Sequence, residues 1–213
     1  MLILKSFIRV TIAVILFSAC DNSEQKAPEN DTSGKHSNHT ISAAPVSGYA
    51  DSVNSGLIPE DTMKSSPART AMATIGETHL HISYHSPGVK GRIIWGGLVS
   101  FNAIWVTGAH TATNIQINKP ITINNKQVDA GTYAIFTIPG AKEWIFILNK
   151  NYQQHLADNY SEKDDVIRLP IIPVENRMTQ RLTYTVKKID EENGNISMEW
   201  EKLKIVVPFK TIK

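Results

Sequence analysis

Residues 78–85 read THLHISYH, a strict alternation in which Leu80, Ile82 and Tyr84 fall on one side of an extended chain and His79, His81, Ser83 and His85 on the other. Period-2 patterning bounded by turn residues is the signature of a half-buried β-strand. The pattern recurs on both sides of this segment. Arg69 to Ile75 precedes it across Gly76-Glu77, and TNIQIN, PITI, KQV, TYAIFTI, EWIFILN, DVIRLPII, RLTYTVKKI, ISMEW and KIVVPF follow. Asn124-Asn125 suits the positive φ of a tight hairpin, and Asp129-Ala130-Gly131 and Pro139-Gly140 mark two further turns. In EWIFILN both parities are apolar, which predicts a strand covered on both faces. Near the end, Ile196, Met198 and Trp200 share one parity and Leu203, Ile205, Val207 and Phe209 the other. A switch at Glu201-Lys202 therefore demands a bulge or a tight turn, because a one-residue slip sends every side chain to the wrong face.

These strands predict an all-β fold: a mostly antiparallel, jelly-roll-like sandwich over residues 65–213. Two segments interrupt the pattern, YHSPGVKGRIIWGGLVSFN and NYQQHLADNYSEKDD. Loops of that length in a compact domain are commonly functional, and each has room for a short helix.

Upstream of the strands the chemistry differs. Lys5 and Arg9 flank an apolar run, Val10 to Phe17, broken only by Thr11. About 8–10 apolar residues fall short of the roughly 20 needed to cross a bilayer, so residues 1–19 read as an export signal. The run stops at Cys20, the only cysteine of the 213 residues, so no intramolecular disulfide is available to it. LFSAC resembles the lipobox of bacterial lipoproteins, which implies lipidation of Cys20 and attachment to a membrane of the cell envelope. Phe17 departs from the aliphatic residue usual at its place. From Asp21 to Lys64 the chain is rich in Ser, Asn, Pro and acids, and with Cys20 it reads as a polar, flexible tether, 20–64, with an r.m.s. reach of about 35–40 Å. Within it, GLIPEDTMK has enough apolar character to dock on the domain or form one helical turn.

The precursor carries a formal charge of +2; seven acids and three bases in 21–64 leave only a weak basic bias on the domain, with no Lys/Arg run. Nucleic-acid binding needs a clustered basic face, and the sequence has none.

Two sets of residues bear on function. His85, His110 and His155 lie in or beside the irregular segments, with Asp158 three residues beyond His155. Three imidazoles and a carboxylate make a zinc-type set if the loops converge. No HExxH, GxSxG or SxxK motif accompanies them. The second set is Tyr84, Arg92, Trp95 and Trp105 around the glycine-rich GVKGRIIWGG, which suits a small polar ligand, sugar or peptide with an apolar face. The expected ligand contacts are therefore Tyr84, His85, Arg92, Trp95, Trp105, His110, His155 and Asp158, with no catalytic residue assigned and no cofactor required. A non-catalytic binding or scaffolding role is the first expectation. A zinc hydrolase built on the three histidines and a structural subunit of an envelope complex are the alternatives.

The ordered series YHSPGVKGRIIWGGLV, WVTGAH, INNKQVDAGTYAIFTIPGAKEWIFILNK and DDVIRLPIIP resembles domain-of-unknown-function family 2911, from about Ser66 to Phe209. The resemblance implies an exported protein of a Bacteroidetes-type bacterium and supplies no activity. Where that family commonly has Tyr-Ser-Arg-Pro, this chain has Tyr84-His85-Ser86-Pro87; where it has Trp-Arg-Thr-Gly-Ala-Asn, this chain has Trp105-Val106-Thr107-Gly108-Ala109-His110. A Gln-Trp-Gly element common in the family falls near Gln153-Gln154-His155. The resemblance thus places the chain in a histidine-bearing branch.

Overall fold

The computed structural model describes residues 48–212; the expected signal, Cys20 and the expected tether up to residue 47 lie outside the described residues. A short helix, α1 (Tyr49–Asn54), precedes ten strands: β1 (Ala68–Ile75), β2 (Thr78–His85), β3 (Thr113–Ile117), β4 (Ile121–Ile123), β5 (Lys126–Val128), β6 (Gly131–Ile138), β7 (Trp144–Asn149), β8 (Asp165–Ile171), β9 (Val174–Lys188) and β10 (Asn193–Thr211). They form two antiparallel sheets, a six-stranded one in the order β1-β2-β3-β6-β7-β8 and a four-stranded one in the order β5-β4-β10-β9. The fold is an all-β sandwich.

The alternation in THLHISYH becomes the inner face of β2: Leu80, Ile82 and Tyr84 join Ile115, Ile117, Ile135, Trp144, Phe146 and Leu148 against Leu182, Tyr184, Met198 and Trp200 of the second sheet. Asn124 and Asn125, at φ 47° and 62°, make the two-residue turn between β4 and β5. EWIFILN is covered on both faces, because Ile147 packs outward with Ala134 and Phe136 under Val106 and Ala112 of the long loops.

The parity switch is a bulge. ISMEW and KIVVPF belong to one continuous strand, β10, whose register with β9 shifts on both sides of Glu201, and Glu201 itself takes φ 54°. That irregularity, in which β9 carries the additional residues opposite Glu201, lets Trp200 and Ile205 both face the core. β9 begins at Val174, earlier than RLTYTVKKI suggests; VENRMTQ lacks an apolar stripe because this edge-strand segment is largely exposed. Of the two irregular segments, only the second holds a helical element, a 3-10 turn at Glu162–Asp164.

The last part of the expected tether differs from its reading. Residues 48–64 pack on the domain: Ala50 and Val53 of α1 are buried, and Asp51 pairs with Arg69 at 2.5 Å. The Asn54 side chain accepts from the Arg181 backbone N–H at 2.7 Å and donates to its carbonyl at 2.9 Å. Polar composition predicts solvation, but here the polar groups find buried partners on β9.

Candidate functional site

The WVTGAH turn is held from several directions. Trp105 exchanges two backbone hydrogen bonds with Thr137, at 2.8 and 3.0 Å, and its indole N–H donates to the Gly108 carbonyl at 3.2 Å. The Thr107 carbonyl accepts from Thr113 Oγ1 and from the Tyr184 hydroxyl, both at 3.1 Å. The positive φ of the turn falls on Thr107 (50°) and His110 (64°). Gly108 is needed for another reason: a Cβ there would meet Thr113 Oγ1 at 2.7 Å.

The second long loop crosses over to this turn. Ala112 N–H donates to the Gln154 carbonyl at 3.0 Å and Leu156 N–H to the His110 carbonyl at 2.8 Å, with a bridge between Thr111 and His155. The three histidines are therefore on neighbouring backbone, but their side chains separate. His85 and His110 meet edge to face, with ring centroids 5.1 Å apart, and Thr111 Oγ1 lies 3.4 Å from His85 Nδ1. Burial, and to a smaller extent the neighbouring His110, lower the His85 pKa. His155 turns outward to Asp158, 3.2 Å away, both side chains more than half exposed. Among the described residues no three His, Cys, Asp or Glu side chains are grouped to hold a metal ion, so the His85, His110, His155 and Asp158 set is not assembled.

What does form is a cavity of about 440 Å³ between the glycine-rich loop, the WVTGAH turn and the end of the N-terminal strap. Trp105 and Trp200 line it, with Val99, Val106 and Leu156 beside them. Of the expected contacts, Arg92, Trp105 and His110 are on its wall. Trp95 lies beneath, packed on Trp105, Trp144 and Trp200 at 5.8, 4.7 and 5.8 Å between centroids. Tyr84 and His85 border a separate depression of about 300 Å³ with Arg69 and Thr111. His155 borders a shallow surface on the far side of Thr111.

Lys64, Lys90 and Trp200, the last marked by alternation only as core, also line the cavity. Trp200 is 1 % exposed, and its indole N–H is buried without a protein partner. Lys90, at φ 49°, donates from Nζ to the Met63 carbonyl; Arg92 donates to the carbonyls of Gly88 and, at 3.2 Å, Val89. The strap that closes this side is fastened by Arg181, fully buried, whose Nη2 donates to Asp61 Oδ1 at 2.6 Å. Burial pushes the Asp61 carboxyl up, but the Arg181 hydrogen bond and charge, helped by Tyr49 and Lys90, hold it below the usual carboxylate value. Gly88 leaves room for that pair, since a Cβ there would collide with Asp61 Oδ2. The one sequence signal for this clasp is an arginine opening a strand.

No curated protein and no solved structure matches this chain. A family model does, that of the protein of unknown function family DUF2911, over residues 66–209, from β1 to the end of the core-facing part of β10. The chain belongs to that family.

Proposed function

We propose that this is an exported, lipid-anchored binding protein that holds a small polar ligand in the cavity beside Trp105 and Trp200. The observation that carries the reading is the cavity itself: about 440 Å³ is within the range of small-molecule sites, about 300–1,000 Å³, which pair apolar walls with a few placed polar groups. Its walls are rigidly supported, by the tryptophan cluster below and the hydrogen-bonded Thr107 turn beside it.

The anchor rests on the lipobox-like LFSAC and the lone Cys20. Two or more acyl chains hold a protein stably on a membrane. Labelling growing cells with an alkyne-bearing palmitate is expected to tag the wild type and not Cys20→Ser; an untagged wild type contradicts the anchor. For the cavity, Ala109→Trp places a ring in it from a half-buried wall position. Equilibrium dialysis against sugars, short peptides and organic acids is expected to find ligands retained by the wild type and lost in Ala109→Trp. Equal retention by both proteins counts against the site.

One observation favours a second reading, a subunit of an envelope complex. Ile93, Leu98 and Phe101 of the glycine-rich loop are 78 %, 49 % and 40 % exposed, an apolar surface of the kind that interfaces cover. Under that reading, a charged replacement at Ile93, which is not on the cavity wall, releases a co-purifying envelope protein and leaves dialysis results unchanged.

A further inference from the structure

The charges around the cavity have one sign. Lys64, Lys90 and Arg92 line it, along with His110, and no aspartate or glutamate is among its lining residues. The nearest carboxylate is Asp61, whose Oδ1 accepts from Arg181 and Tyr49; it feels the Lys90 charge but forms no ion pair with it. Lys90 and Arg92 are held in place by backbone carbonyls, so their positions are fixed while their charge is uncompensated by any ion pair among the described residues. Deeper in, Trp200 adds a buried indole N–H with no partner. A buried donor left unpaired is costly, and the side chain that carries this one is among the residues lining the cavity. The remaining wall, from Trp105, Val99, Val106 and Leu156, is apolar.

We infer that the cavity takes a small organic anion, a carboxylate or a phosphate monoester, whose oxygens face Lys64, Lys90, Arg92 and the Trp200 N–H and whose compact apolar body lies against Trp105. This rests on the cavity being a binding site at all, and it names the ligand class. Charge-assisted hydrogen bonds are the strong ones, and low-salt conditions strengthen exposed cations further, so affinity falls as ionic strength rises.

The test is isothermal titration of the full chain in phosphatidylcholine nanodiscs with phenylacetate, its neutral isostere phenylacetamide, phenyl phosphate and inorganic phosphate. At least one of phenylacetate and phenyl phosphate is expected to bind, and which one does assigns the head group. The anion is expected to bind at least about tenfold tighter than its neutral or body-less counterpart, a difference of about 1.4 kcal/mol. Lys90→Gln/Arg92→Gln is expected to lose about tenfold of that affinity, and Lys64→Gln, at an exposed position, serves the same purpose if the loop variant unfolds. Phenylacetamide binding as tightly as phenylacetate overturns the charge inference and leaves the cavity reading standing. Inorganic phosphate binding as tightly as phenyl phosphate overturns the apolar body. Uptake of none of the four overturns this inference, and dialysis with Ala109→Trp then decides whether the cavity reading falls with it.

Discussion

Arg181 and Asp61 form the most buried ion pair of the domain, with side chains 0 % and 5 % exposed. The guanidinium also donates to the carbonyls of Ser65 and Ser86, at 2.8 and 3.0 Å, and to that of Met63 at 2.6 Å, and lies 5.5 Å from the centroid of the Tyr49 ring. Removing one partner of such a pair leaves an uncompensated buried charge. Arg181→Met is therefore expected to cost about 3–5 kcal/mol in urea unfolding, with part of it recovered in Asp61→Leu/Arg181→Met. A loss below about 1 kcal/mol would place the pair with exposed ones. His85 gives a pH prediction. Its pKa is lowered on folding, so the unfolded chain binds the proton more readily. The stability contributed by neutral His85 is full above about pH 6.5, the unfolded value, and is lost as pH falls through the folded value. Proton NMR is expected to find His85 titrating below about 6.5, and His110→Asn, which removes one of the two causes, to raise it. A midpoint above that value contradicts the burial argument. Sequence reading reached His85 and His110 because polar residues in irregular segments stand out. It missed Arg181, whose parity, opposite to Leu182 and Tyr184, assigns it to water; only the strap folding over β9 buries it.

At the scale of elements, the bulge in β10 is where local and global demands meet. Both halves of the strand bury an apolar face, Met198 and Trp200 before Glu201, Ile205 and Val207 after it, and the left-handed turn of the backbone at Glu201, φ 54°, between two register shifts reconciles them. Glu201→Gly is expected to stay within about 1 kcal/mol of wild type, and Glu201→Val, β-branched at positive φ, to lose about 1–2 kcal/mol. Deleting Glu201 inverts one half of the strand and is expected to abolish cooperative unfolding; a cooperative transition in the deletion variant contradicts the assignment. The bulge was legible in advance because parity is a strict code. The start of β9 was not, since an exposed edge segment has no buried face to write a pattern. Both long loops were recognisable as loops, yet their crossing over β6 and β7 was visible only as the second apolar face of EWIFILN.

For the whole molecule, the described chain is a sandwich with a strap. The run from α1 to Ser66 lies on β9 and β1, and its last residues, Lys64, Ser65 and Ser66, form one wall of the cavity. Most of it precedes the family match, which starts at residue 66. The sandwich followed from strand alternation. The cavity could not, because it draws on three segments distant in sequence and on Trp200, which alternation marks only as core. The most direct test of the anion-binding cavity is fluorine NMR of the full chain with its four tryptophans replaced by 5-fluorotryptophan, titrated with phenylacetate and, separately, with phenyl phosphate. With at least one of the two anions the Trp105 and Trp200 resonances are expected to move while that of Trp144 stays in place. Movement of none of them with either anion, or of Trp144 as far as the other two, would contradict that anion site.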